Sequence, residues 1–79
     1  MKARKRKTRN LAVCVRNTGY PASLELRKIY EVLPDSKAAA HGLVRVIDES
    51  GEDYLYPKSF FVHLELSQPV ESAILRAAS

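Results

Sequence analysis

Six cations stand within the first nine residues: Lys2, Arg4, Lys5, Arg6, Lys7 and Arg9. Such a run engages the phosphates of a nucleic acid or another polyanion by releasing counterions, which gives affinity without base discrimination and a steep dependence on salt. These six are nearly half of the thirteen basic residues; seven remain against nine acids, so residues 10–79 carry a net charge of about −2. Basicity belongs to the leading arm and not to the rest of the chain. A second group is aromatic. Tyr20, Tyr54 and Phe60, with Pro57, are candidates for an exposed patch that stacks bases or holds a peptide, whereas Tyr56 and Phe61 are expected to fill the interior. Asp48, Glu49, Glu52 and Asp53 crowd one turn. They lack the spacing and terminal bidentate Glu of a calcium loop and read as a solvated hairpin tip. Cys14, His41 and His63 belong to different elements, and no spacing makes them meet. There is no phosphate loop, paired catalytic carboxylate or nucleophile elbow, so no enzyme activity, cofactor or metal is expected.

A chain of 79 residues holds one domain and one modest core. At this size folding buries only about 60–65% of the surface exposed in the unfolded chain, and a stability on the order of 5 kcal/mol follows. No apolar run approaches the ~20 residues of a membrane span, which excludes a membrane role. The segment Leu11–Val15 is too short for the apolar core of a signal peptide and is stopped by Arg16, so a cytoplasmic location is expected. A lone Cys14 forms no internal disulfide and is read as a small buried side chain.

The elements that must position these residues follow from periodicity. Residues 1–10 are charged and aperiodic and are expected to form a disordered arm. Leu11 to Val15 is rich in strand formers, and Asn17-Thr18-Gly19-Tyr20-Pro21 supplies a loop. Leu24-Glu25-Leu26-Arg27 alternates with period two, as a half-exposed strand does, and Ile29 to Leu33 continues it after a bend or bulge at Arg27-Lys28. Pro34 ends that run. Asp35 to Gly42 reads as a short helical turn with Asp35 or Ser36 as its cap, Gly42 in the left-handed position after it and His41 near its carboxyl end. Leu43 to Ile47 and Tyr54 to Tyr56 form a hairpin about the polar turn 48–53. Pro57 to Phe60 is a turn, Phe61 to Leu66 a last alternating strand, and Val70 to Ala77 a short helix following Ser67 and Pro69. Five short strands with tight connections predict a mainly β, antiparallel barrel over residues 11–66, followed by a tail or short helix over 67–79.

The order of these pieces resembles a Src-homology-3 (SH3) domain. The run Gly51-Glu52-Asp53-Tyr54-Leu55-Tyr56-Pro57-Lys58-Ser59-Phe60-Phe61-Val62 is similar to that family's closing segment of Gly-Glu, an aromatic-aliphatic strand end and Pro-x-x-Tyr-Val. The segment Ile29 to Phe61 also resembles short uncharacterised bacterial proteins, a likeness that implies no activity. The family resemblance implies an SH3-like barrel. In its peptide-binding members a Pro and a Tyr of the closing turn, two Tyr of the first strand and a Trp build a shelf for polyproline helices. Pro57 and Phe60 match the first two; Cys14 and Arg16 stand where the strand tyrosines would fall, and the chain has no Trp. A polyproline ligand is therefore not expected. The sequence reads as a non-catalytic binding module, an adaptor or accessory subunit for an unknown protein partner. The alternative is a nucleic-acid-binding protein that uses the arm with a surface of the barrel.

Overall fold

A computed structural model describes residues 10–78. The arm cations Lys2, Arg4, Lys5, Arg6, Lys7 and Arg9 lie outside the described residues. The chain forms strand β1 (Asn10–Cys14), β2 (Ile29–Leu33), helix α1 (Ser36–Ala40), β3 (Leu43–Ile47), β4 (Asp53–Pro57), a 3₁₀ turn (Lys58–Phe60), β5 (Phe61–Leu64) and helix α2 (Gln68–Ala78). The five strands make one antiparallel sheet in the order β4-β3-β2-β1-β5. Its pairing is open: β4 and β5 are the two ends of the order, and no ladder joins them among the described residues.

Segment 24–27 is not the expected strand. Leu24 N–H and Ser23 N–H both donate to the Tyr20 carbonyl, and Arg27 sits in the left-handed region at φ 67°. Those local bonds consume the backbone groups that a ladder would use. The alternation of Leu24 and Leu26 has another cause: Leu24 enters the core while Leu26 stays exposed. The expected bend falls at Arg27, whose N–H donates to the Cys14 carbonyl at 2.7 Å and so closes the loop onto the end of β1. The last strand is shorter than its alternation, stopping at Leu64 rather than Leu66.

Helix α1 is capped as its residues dictate. The Asp35 carboxylate accepts from Ala38 N–H at 2.9 Å, and His41 is the C-cap residue. Gly42 follows with φ 72°, a conformation that costs a residue with a Cβ about 1 kcal/mol or more. Arg45 of β3 fastens α1 to the hairpin, donating to Asp35 at 2.8 Å and to Asp53 at 3.1 Å.

Cross-strand partners share a face of the sheet. The inner face carries Ala12, Cys14, Tyr30, Val32, Val46, Tyr56 and Phe61, which with Leu24 and Phe60 form the core. Cys14 is buried, as expected, and burial pushes its thiol pKa up. On the outer face Leu75 and Ala77 of α2 share a groove with Ile29, Glu31 and Ile47. Beside it Val62, Val13 and Ile29 line up across β5, β1 and β2, with Val62 and Ile29 exposed.

Val46 is 0% exposed at the centre of the inner face. An unpaired charge there costs several kcal/mol against a stability on the order of 5 kcal/mol. Val46→Asp is therefore expected to abolish the cooperative thermal transition seen by circular dichroism, and a melt like that of the parent chain would contradict this core.

Candidate protein-binding surface

Two adjacent carboxylates organise the surface that carries the candidate residues. Asp48 and Glu49 follow β3, where the Asp48 N–H donates to the Glu52 carbonyl and the Gly51 N–H to the Asp48 carbonyl, closing the hairpin. One Asp48 oxygen accepts from the Ser50 N–H at 2.9 Å and the Ser50 hydroxyl at 2.6 Å; the other accepts from the Tyr56 hydroxyl at 2.5 Å. Glu49 accepts from the Tyr30 hydroxyl and pairs with the Lys28 ammonium at 2.7 Å. The turn is thus solvated only in part: Glu49, Glu52 and Asp53 are exposed, as expected of a tip, and Asp48 is not. Asp48 is only 6% exposed, because a tyrosine on the inner face of β4 reaches its carboxylate and supplies the bond that water would otherwise make. Asp53 is engaged by Arg45.

These contacts set the local electrostatics. Burial alone would raise the Asp48 carboxyl, but hydrogen bonds from Ser50 and Tyr56 outweigh it and hold the pKa below its ordinary value. Lys28 and Tyr30 do the same for Glu49. The hydroxyls move the other way. Burial, then the neighbouring Asp48, push Tyr56 up to about 12, and burial with Glu49 raises Tyr30 as well. Both tyrosines are protonated donors near neutral pH, which is what an anionic acceptor requires.

The same residues pin the long loop 15–28. The Glu49 N–H donates to the Ser23 carbonyl at 3.0 Å, and the Glu25 N–H donates to the Tyr30 hydroxyl at 2.8 Å. Within the loop, the Tyr20 N–H donates to the Asn17 carbonyl, and the Asn17 side-chain amide donates to the Leu24 carbonyl at 2.9 Å. Leu24 is fully buried beneath. Tyr20 is consequently held at both its N–H and its carbonyl, with its ring edge-on to Tyr56 at 5.0 Å and to Phe60 at 6.2 Å between centroids. Tyr20 nevertheless remains 43% exposed.

Of the four residues read as an aromatic patch, the structure brings Tyr20 and Phe60 together. Phe60 is buried under the patch rather than displayed on it, and Pro57 is half-buried at the end of β4, where it leads into the 3₁₀ turn. Tyr54 stands apart: it is 51% exposed, its hydroxyl lies 3.4 Å from Glu52, and it packs on none of the other rings among the described residues. Tyr56 and Phe61 are buried in the core. The residues that sequence reasoning missed are Tyr30, Asp48 and Glu49 as a scaffold. Their only signal was two acids directly after a strand that pairs with tyrosine-bearing neighbours.

Cys14, buried on the inner face, is not available to a surface shelf, whereas Arg16 is exposed. Among the described residues no group of three His, Cys, Asp or Glu side chains is placed to hold a metal ion, and no helix is long and apolar enough to cross a membrane. No family model, curated protein or solved structure matches the chain.

Carboxylates whose folded-state pKa is depressed stabilise the fold above their unfolded pKa, and that stability is lost as pH falls through the folded value. Asp48 and Glu49 are both of this kind, as is Asp35, lowered by the Ala38 N–H and Arg45. Urea unfolding is expected to show constant stability from about pH 7 to pH 5 and a progressive loss below about pH 4. Asp48→Asn is expected to flatten that acid limb, and an unchanged limb would show that the Tyr56 bond does not hold the carboxylate ionised. Tyr56→Phe, which leaves Asp48 short of a donor, is expected to cost about 1.5–3 kcal/mol in the same assay.

Proposed function

We propose that the chain is a non-catalytic, SH3-like protein-binding module that engages its partner through Tyr20. The observation that carries this reading is an exposed aromatic ring held rigid by a buried scaffold: Tyr20 is fixed by backbone bonds on both sides and backed edge-on by Tyr56 and Phe60. An aromatic side chain already ordered before binding gives up little conformational entropy on association, and such residues dominate the energetics of protein interfaces. The SH3-like reading is supported by the strand order β4-β3-β2-β1-β5, with the 3₁₀ turn set between the last two strands. A polyproline helix is not the ligand of this reading. The strand position that should offer a shelf tyrosine holds a buried Cys14, and Phe60 turns inward.

The six arm cations favour a second reading, binding of nucleic acid, in which the arm supplies the phosphate contacts that a body of net negative charge does not. The two readings separate on deletion of residues 1–9, a cut placed just before β1. Under the first, a protein captured from nuclease-treated native lysate is retained by the shortened chain and lost with Tyr20→Ala, which is expected to weaken capture by about thirtyfold. Retention by Tyr20→Ala at the parent level would contradict the proposed surface. Under the second, binding to DNA or RNA at low salt disappears with the arm, and log affinity falls against log salt with a slope of about −4 to −5. Indifference to nucleic acid at about 50 mM salt, where charge effects are exaggerated, would end that reading.

A further inference from the structure

A separate concavity of about 470 Å³ opens between β3 and β5. Its lining includes the apolar side chains of Val32, Val44 and Phe61 together with Lys58, Ser59 and His63. The register explains the arrangement. Val32 and Val44 belong to the inner faces of β2 and β3, while Phe61 and His63 occupy the same face of β5. Among the described residues β4 and β5 do not pair, and the cleft opens on this side over half-buried Val44 and beside buried Val32 and Phe61, with the 3₁₀ turn carrying Lys58 and Ser59 to it. Lys58 is fixed at its backbone, donating its N–H to the Gly42 carbonyl at 2.9 Å, yet its ammonium has no ion-pair partner among the described residues. Ser59 and His63 are exposed, and neither side chain is engaged in a hydrogen bond among the described residues.

We propose that this cleft receives the C-terminal residue of a partner chain, its apolar side chain against Val32, Val44 and Phe61 and its terminal carboxylate at Lys58. The proposal rests on the reading of the chain as a protein-binding module but uses a different site from Tyr20. Charge complementarity selects an anion, because Lys58 is the one Lys, Arg, Asp or Glu among the described residues that line the cleft, and none of them pairs with its ammonium. The apolar walls select a side chain such as Leu, Ile or Val. A cleft toward the small end of the ~300–1,000 Å³ range of ligand sites suits one residue rather than an extended segment. A chain terminus carries both functions on that single residue, whereas an internal Asp or Glu places its charge on a different side chain from the apolar group. Ser59 and His63 offer further polar atoms for the carboxylate's remaining lone pairs.

The test uses the full chain and two probes, N-acetyl-alanyl-leucine with a free carboxylate and the same dipeptide as its carboxamide, followed by amide chemical shifts in solution. The acid is expected to shift Val32, Val44 and residues 58–63 with saturation in the millimolar range, and the amide to bind about tenfold more weakly or worse. Lys58→Glu, a change at an exposed side chain, is expected to weaken the acid by a similar factor with the rest of the spectrum unmoved. Tyr20→Ala should leave the titration unaltered, so failure of the Tyr20 surface and failure of the cleft are distinguishable. Equal binding of acid and amide, shifts centred elsewhere, or no shifts up to about 20 mM would overturn the proposal, that limit corresponding to only about 2 kcal/mol of binding. Tighter binding of 4-methylpentanoate than of the dipeptide would also overturn it, by assigning the cleft to a free small acid.

Discussion

Two neighbouring carboxylates, Asp48 and Glu49, accept hydroxyls from tyrosines on two different strands, Tyr56 of β4 and Tyr30 of β2. The rest of the structure depends on this arrangement. A core cluster of nine buried residues among the described ones, several of them small, leaves little margin for disorder in a fourteen-residue loop (15–28). The hairpin acids convert that loop into part of the framework. Glu49 takes hold of it through its own N–H and, by way of the Tyr30 hydroxyl, through the Glu25 N–H. Tyrosine suits this duty because its ring joins the core while its hydroxyl reaches a carboxylate at the edge, so one side chain supplies both burial and a charge-assisted bond. The aromatic display at Tyr20 is a consequence of the same scaffold, since Tyr56 is at once the partner of Asp48 and the ring on which Tyr20 stands.

The openness of the sheet has its own consequences. Five strands paired in the order β4-β3-β2-β1-β5 bury their inner face around Val46, Tyr56 and Phe61, but β4 and β5 do not pair among the described residues, and a cleft lined by Val32 and Val44 opens there. The outer face is not a conventional wet face either. Helix α2 shares a groove with part of it, while Val62 and Ile29 remain exposed. Apolar surface of this kind weakens the solvation of a small domain and is retained more readily when it contributes to association.

Much of the sheet was legible in the sequence because local rules and the final packing agree there. Ile29–Leu33, Leu43–Ile47 and the turn around Gly51 carry strand formers and turn residues in the right order, and Asp35 and Gly42 punctuate α1 as their chemistry requires. The misreadings have definite causes. Leu24 and Leu26 alternate like a strand, yet a turn centred on Tyr20 claims the backbone and Arg27 takes a left-handed conformation that periodicity cannot reveal. The bonded roles of Asp48 and Glu49 were not legible in the turn because their partners, Tyr56 and Tyr30, come from strands after and before it, and the Tyr30–Glu49 contact spans 19 residues. The aromatic patch was half legible. Composition singled out Tyr20 and Phe60, which do meet, but could not show that Phe60 lies beneath Tyr20 or that Tyr54 stands alone.

Loop 15–28 is held as a platform rather than left as a mobile connection, and backbone amide relaxation measures this directly. Residues 17–25 are expected to show order parameters of about 0.85, equal to those of the strands, and in Tyr30→Phe, which loses both the Glu49 and Glu25 bonds, the same residues are expected to loosen selectively. Order parameters below about 0.6 through this segment in the unaltered protein would contradict the account, because Tyr20 would then be an unfixed side chain with no prepared surface to offer.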